Sequence, residues 1–287
     1  MLTILFDGVA YGMLLFVLAC GLTVTLGLMN FINLAHGAFA MVGGYVTALL
    51  MDRAGVPFLV TLPVAFVVPA ALGVALERTL YRRLYGASPL DQVLFTIGLV
   101  FMAMPIANYL VGNEPQQVHL PPWLSGSVTF HGVGIGRYRL LIVVICGVIA
   151  AGLQLFLVET RFGAQLRAAV DDTRVAEGMG IDVDRIFAIA FAVGSGLAGL
   201  GGALAADVVG GVDPAFPVKF LVTFLIVAAI GGSRGILGAF YGALLLGVLD
   251  VAGKYYIPAI GAFIIYTVMV VTLIIRPHGL FARGDGP

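Results

Sequence analysis

Asn30, Asn33 and His36 fall three residues apart, so a helical path would bring two amides and an imidazole onto one face. They belong to Asn30-Phe31-Ile32-Asn33-Leu34-Ala35-His36-Gly37, the polar interruption of a stretch that otherwise carries no charge from Gly8 to Met51. Two readings fit this segment. In one, Asn33 caps the helix that follows by accepting a backbone N–H in a turn. In the other, a helix is broken at membrane depth, which is tolerated only where its polar groups face protein or a water-filled pathway. A second interruption, Gly231-Gly232-Ser233-Arg234-Gly235, is followed by Gly238-Ala239-Phe240 much as the first is followed by Gly37-Ala38-Phe39. Paired distorted segments in corresponding halves are what transport proteins place near their solute route.

The remaining candidates for chemistry resolve into packing or interfacial roles. Gly194-Ser195-Gly196-Leu197-Ala198-Gly199 spells a dinucleotide fingerprint but sits within an apolar helical run, not between a strand and a helix N-terminus. Its small residues read as a helix-packing face through Gly194, Ala198 and Gly202, at spacing four. Gly253-Lys254 is the only Gly-Lys pair and lacks both the earlier glycine and the following hydroxyl of a phosphate loop, so ATP hydrolysis is not expected of this chain. His36, His119, His131 and His278 are too scattered for a metal site, and neither Ser195 nor Ser233 has an evident base. Asp7, Asp207 and Asp250 lie near the ends of apolar runs, where interfacial carboxylates are expected rather than a proton relay. Cys20 and Cys146 fall inside apolar runs and read as small buried hydrophobes.

The elements that would position these residues are membrane helices. Beside Gly8–Met51, charge-free runs extend over Ala54–Leu76, Gln92–Asn113, Leu140–Val158, Ile186–Ala206, Phe220–Ser233, Gly235–Leu249 and Tyr255–Ile275. Most reach the roughly 17 to 25 residues that a spanning helix needs. Only 10% of the 287 residues are charged and mean hydropathy is +1.08, which leaves no room for a separate soluble domain. The expectation is a single all-α polytopic membrane domain over residues 1–287 with eight to nine crossings. An apolar start with no preceding basic residue and no small-residue cleavage site argues against a removed signal peptide.

Thirteen of the fifteen basic residues are Arg, and they cluster. Arg78, Arg82, Arg83, Arg161, Arg167, Arg174, Arg185, Arg234, Arg276 and Arg283 fall on one side if nine spans run with the N-terminus outside. By the positive-inside rule that side is cytoplasmic. Arg53, Arg137, Arg139, Lys219 and Lys254 remain outside. The longest outer segment, Gly112–Arg139, holds Trp123, read as an interfacial anchor, and offers Arg137 and Arg139 as docking cations. The inner loop 159–185 is the most charged part of the chain. It predicts two short helices, from about Gly163 to Val170 and from about Thr173 to Met179, with Asp172 as N-cap and Gly180 as the stop. Leu166, Val170 and Val175 give it an apolar side.

In that loop Arg161-Phe162-Gly163 leads to Arg167-Ala168, then Asp171 and Asp172, Arg174, Ala176 and Gly180-Ile181. This pattern resembles the coupling loop of permeases in the branched-chain amino-acid family of ABC importers. The resemblance runs along nearly the whole chain. It passes through Asn33-Leu34-Ala35-His36-Gly37 with Gly43-Gly44-Tyr45, Glu77-Arg78 to Tyr81-Arg82, and Thr96-Ile97-Gly98-Leu99. It continues through Gly194 to Gly199, Gly231-Gly232 with Gly235 and Gly238, and Arg276-Pro277-His278-Gly279-Leu280-Phe281. The short, charge-poor N-terminus is similar to the shorter of that family's two permease types.

The resemblance implies a bacterial inner-membrane subunit that is not an enzyme. It implies a second related permease, two ATPase subunits that bind ATP and Mg, and a periplasmic solute-binding protein as partners, with no nucleic acid. Arg161, Gly163, Arg167, Ala168, Asp171, Asp172, Arg174, Gly180 and Ile181 would couple to the ATPases, while Thr96 would join Asn30, Asn33 and His36 along the solute route. Branched-chain or other hydrophobic amino acids are the implied cargo, and relatives in the family carry amides or urea. A secondary transporter or a channel working without an ATPase remains the alternative for the apolar helices alone.

Overall fold

The computed structural model describes residues 1–29, 31–130, 133–231, 236–276 and 279–280. Among the described residues it is all-α apart from one small hairpin and a single antiparallel bridge between Gln116 and Val212. The long charge-free run becomes α1 (Leu2–Met29) and α2 (His36–Ala54), the latter closed by Gly55 at φ 61°, whose N–H bonds the Leu50 carbonyl. α3 (Phe58–Thr79) carries Pro63 and Pro69 and leads through a 3-10 turn at Tyr81–Leu84 to α4 (Pro89–Val111). Ser88 caps α4 by accepting the Asp91 N–H, and Pro89 takes the first helical position, where no N–H is needed. The antiparallel strands β1 (Ser127–Phe130) and β2 (Val133–Gly136) follow, then α5 (Arg137–Glu159). Two short helices, α6 (Arg161–Asp171) and α7 (Thr173–Gly178), precede α8 (Val183–Val208), α9 (Phe216–Gly231), α10 (Ile236–Tyr256) and α11 (Ile264–Ile275).

Among the described residues six helices are long and apolar enough to cross a membrane: α1 over Leu2–Leu26, then α3, α4, α5, α8 and α10. They divide into centre and periphery. The most apolar window is 78% buried in both α1 and α8 but only 17 to 28% buried in α3, α4 and α5, so the first two form the core and the others turn apolar faces outward. Outward apolar faces suit a hydrocarbon solvent.

Two boundaries differ from the charge-free runs. Tyr255–Ile275 does not form one helix: α10 ends at Tyr256 and α11 starts only at Ile264. Pro258 has no N–H to donate and disfavours the α conformation at Ile257, which breaks the run there. Conversely, α10 runs past Asp250 and Lys254, where the run Gly235–Leu249 stops. These two charges sit one helical turn apart and pair with each other, Lys254 Nζ to Asp250 Oδ2 at 2.7 Å.

The two ends of the bundle are distinct. At one end Asp7 pairs with Arg139, and the Tyr138 hydroxyl donates to the Leu204 carbonyl at 2.7 Å, joining the start of α1 and α5 to the end of α8. At the other end Arg82 pairs with Asp184, and the Tyr85 ring meets Phe187 at 5.2 Å. Arg78, Arg82, Arg83, Arg161, Arg167, Arg174 and Arg185 all belong to this second end by helix polarity, as does Arg276, near which the Leu280 N–H reaches the Ile230 carbonyl. Arg234 and Arg283 lie outside the described residues.

Close backbone approach holds the core together. Gly43 of α2 lies against the Gly199 backbone of α8, and Gly202 lies against Ala40. Gly194 meets Gly21 of α1, while Gly199 also faces Ala65 and Pro69 of α3. The expected single packing face on α8 is therefore three: Gly194 serves α1, Gly202 serves α2 and Gly199 serves both α2 and α3, with Ala198 fully buried among them. Without a hydrophobic drive between helices in lipid, such small-residue contacts supply the packing. Gly43→Val should lower stability by roughly 1 to 3 kcal/mol, the cost of overpacking a tight core. Gly147→Ala, where added atoms would meet nothing within 4 Å, should leave it unharmed or raise it by up to about 1 kcal/mol, the helix preference of Ala over Gly. Thermal unfolding in detergent compares the two.

Candidate functional site: a buried helix break and an exposed knob

The segment between α1 and α2 is neither helical nor exposed. Phe31, Asn33, Leu34, Ala35 and His36 are all buried. Asn30 lies outside the described residues. Backbone groups freed by the break find side-chain partners on α4: the Ile32 N–H donates to Gln92 Oε1 at 3.1 Å and the Leu34 N–H donates to Thr96 Oγ1 at 3.2 Å. Gln92 in turn donates from Nε2 to the Leu84 carbonyl at 3.2 Å, and Thr96 donates to the Gln92 carbonyl at 2.8 Å. Such replacement bonds are what a buried irregular backbone requires.

Asn33 does not cap α2. Its Oδ1 accepts the Ala35 N–H at 3.1 Å in a local Asx turn, and Ala35 stands at the cap position with no side-chain bond. The Tyr81 hydroxyl also points to Asn33 Oδ1, at 3.4 Å. His36 Nε2 lies 2.6 Å from the Leu18 carbonyl, so it carries the proton and ties the first turn of α2 to the middle of α1. Phe31 fills the space beneath, within 5.4 to 5.8 Å of the Tyr81, Tyr85 and Phe191 rings. Burial pushes the Tyr81 and Tyr85 phenols up, and the Glu77 carboxylate pushes Tyr85 further, so both remain neutral donors. The Tyr85 hydroxyl donates to Glu77 Oε1 at 2.9 Å.

The structure thus brings Asn33, His36 and Thr96 into one connected polar seam, with each side chain engaged inside the chain. Gln92 and Tyr81 belong to the same seam; Tyr81 falls in the Glu77–Arg82 motif without a site role assigned to it, and Gln92 falls in no motif. A helix-start Gln one turn before Thr96 was the available signal.

The charged loop forms a knob at the arginine-rich end. Thr160 caps α6 by accepting the Gly163 N–H, and Asp172 caps α7 by accepting the Val175 N–H at 3.0 Å. Gly180, at φ 83°, turns the chain out of α7. The inner side packs through Leu166, Ala169, Ala176 and Val183. Gly163 touches the Leu157 backbone so closely that any Cβ would collide with its carbonyl. The same carbonyl accepts from Arg167 at 2.5 Å, placing a cation on the C-terminal end of α5.

The coupling candidates accordingly separate. Gly163 is buried and Ala168 and Ile181 are half-buried, whereas Arg161, Arg167, Asp171, Asp172, Arg174 and Gly180 are exposed. The apolar side differs from the expected one: Leu166 is buried, Val170 half-buried, and the outward apolar pair is Val175 with Met179, 56% and 65% exposed. Arg139, expected as a free docking cation, is engaged with Asp7, and Arg137 donates to the Trp123 carbonyl at 3.3 Å. His131 and His278 lie outside the described residues, among which no cluster of metal-ligating side chains occurs.

A core of apolar helices with a buried helix break and a projecting charged knob defines a polytopic membrane protein of the transport class. The chain belongs to the family described as branched-chain amino acid transport system / permease component, whose model matches residues 4–273. It is 28% identical to the high-affinity branched-chain amino acid transport system permease protein BraD of Pseudomonas aeruginosa, over 98% of this chain and 95% of that protein. It is 27% identical to the corresponding LivH of Salmonella typhimurium, with the same coverage, and 28% identical to a probable LivH of Methanocaldococcus jannaschii, over 96% and 91%. LivM of Salmonella typhimurium matches at 26% identity, but only 68% of that longer protein is covered. The chain is therefore a permease component of the LivH length class. No solved structure matches it.

Thr96→Val keeps the shape of the side chain but removes the acceptor for the buried Leu34 N–H. It should cost about 1 to 3 kcal/mol, the penalty for an unsatisfied buried donor. Tyr81→Phe, which gives up only the long contact to Asn33, should cost less. Denaturation midpoints of the two variants in the same detergent give the ordering.

Proposed function

We propose that the chain is the shorter membrane subunit of an ATP-binding-cassette importer in the bacterial inner membrane, and that the knob at residues 161–181 is the handle worked by the ATPase. The observation that carries this reading is the outward surface of the knob. Val175 and Met179 form an exposed apolar pair, rimmed by Asp171, Asp172, Arg174 and Glu177, on the end where the arginines gather. An apolar centre with a charged rim suits a groove on a water-soluble partner.

Two ATPase subunits would bind ATP and Mg, a second related permease would complete the pathway, and a periplasmic binding protein would deliver the solute. Branched-chain or other hydrophobic amino acids are the cargo, a choice supported by the names its relatives carry. Nine crossings, by α1 to α5 and α8 to α11 with the N-terminus outside, would put the knob in the cytoplasm. The positive-inside rule supports this orientation. α9 and α11, at 16 and 12 residues, would reach only about 24 and 18 Å at helical rise, so both would rely on protein rather than lipid at their ends.

Within the knob Arg167 positions α6 against α5, so its loss would unseat the handle, whereas Val175 and Met179 would touch the partner itself. Val175→Asp with Met179→Ser should abolish co-purification of the ATPase subunits while membrane insertion and thermal stability stay as in the unmodified chain. Undiminished ATPase recovery with the double variant, or labelling of residue 174 only from the outside, would overturn the handle assignment.

A further inference from the structure

At the end of the bundle opposite the knob, residues of α1, α5, α9 and α10 and the end of α8 line a partly open cavity of about 440 Å³. Asp7, Arg139, Asp250 and Lys254 line it, with Tyr11 beside them. Two acids and two bases make the wall neutral overall yet strongly polarised. Arg139 pairs with Asp7, and Lys254 Nζ lies 2.7 Å from Asp250 Oδ2 and 5.8 Å from the Tyr11 ring centroid. These pairs leave two carboxylate oxygens over. Asp250 is 2% exposed, but its Oδ1 has no hydrogen-bond partner among the described residues, and neither does Asp7 Oδ1. A buried charged oxygen without a donor is costly, and both of these are closed off from water, so a donor brought by a ligand would reach them only as the two ion pairs open toward it. The rest of the wall is apolar, through Leu14, Ile142 and Phe220 among others.

We propose that this cavity binds a small zwitterion, its primary ammonium on the Asp7 and Asp250 oxygens and its oxyanion on Arg139 and Lys254, with any apolar portion against Leu14, Ile142 and Phe220. An ammonium supplies three donors to acceptors that lack them, and the facing aromatic ring favours a cation. A carboxylate or phosphate compensates the bases as their own acids turn to the ligand. A solute with one charge would satisfy half of the wall and strand the other half. Two sources carry this chemistry: an α-amino acid with an apolar side chain, an arm that rests on the function proposed above, and the headgroup of phosphatidylethanolamine.

The test uses the full chain in nanodiscs of phosphatidylcholine, with and without phosphatidylethanolamine. Labelled L-leucine is titrated against 4-methylpentanoate, which lacks the ammonium, and 3-methylbutylamine, which lacks the carboxylate. Leucine should bind, unlabelled leucine should displace it, and each analogue should compete at least about tenfold less well. Asp250→Asn should weaken binding by about tenfold or more, and Asp7→Asn, at a less buried position, provides the same reading if the first variant folds poorly. If leucine fails to bind but native mass spectrometry finds phosphatidylethanolamine retained by the unmodified chain and lost from both variants, the zwitterion is the lipid. Retention of neither ligand, equal competition by a single-charge analogue, or unweakened binding in both variants overturns the site. Leucine uptake by the complete transporter is scored separately. Uptake that persists while neither leucine nor phosphatidylethanolamine is held here sinks the site alone, while leucine binding without uptake sinks the functional reading alone.

Discussion

The structure depends on keeping every backbone polar group paired in a medium that offers none of its own. Helices meet this requirement automatically, and the six long apolar ones need no further explanation. The described residues between α1 and α2, Phe31 to Ala35, do not. The Phe31 N–H returns to the Thr25 carbonyl of α1, those of Ile32 and Leu34 depend on side-chain oxygens that Gln92 and Thr96 present on α4, and that of Ala35 is met because Asn33 folds back on it. Those bonds to α4 and the bond from His36 to Leu18 fix the start of α2, and the approach of Gly43 and Ala40 to the α8 backbone fixes its middle. The position of α2 then determines which backbones α8 can approach.

The break and the knob are contiguous through α8. Asp182 caps α8 directly after the knob, Asp184 in its first turn pairs with Arg82, and Phe187 one turn on packs against Tyr85. Phe191, a further turn along, stacks on Tyr81 at 5.0 Å and meets Phe31 at the break. A displacement of the knob would be delivered to the break through three consecutive aromatic contacts on one rigid helix. This is spatial contiguity, the physical precondition of coupling. Rigidity is supplied further along the same helix, where Gly194, Gly199 and Gly202 let α1, α2 and α3 close onto its backbone.

What was legible in the sequence follows from what local rules can encode. Knob boundaries were readable to within two residues because Asp172 and Gly180 act on their own neighbours. The run Tyr255–Ile275 was misjudged because absence of charge says nothing of Pro258. The end of α10 was misjudged because an ion pair one turn apart makes Asp250 and Lys254 compatible with a continuous apolar helix. The contacts that Gln92 and Tyr81 make with the break, and the pairing of Asp7 with Arg139, were out of reach, since each joins segments far apart in sequence. Asn33 and His36 were recognised as exceptional, but only the fold shows them turned inward on protein.

The placement of charge separates the two ends by more than number. At the end bearing Asp7, three pairs, Asp7 with Arg139, Asp213 with Lys219 and Asp250 with Lys254, neutralise most of the ionic groups within the chain itself. At the knob end Arg82 and Arg185 have acidic partners, whereas Arg161 and Arg174 form no ion pair among the described residues. Cations left unsatisfied within the chain remain available to lipid phosphates and to acidic groups on another protein, and their desolvation on contact is moderate because they are exposed. Internal neutralisation has the opposite consequence, since the paired groups at the other end have little charge left to offer a partner. The same polypeptide therefore offers unpaired cations at one end and largely self-compensated charges at the other.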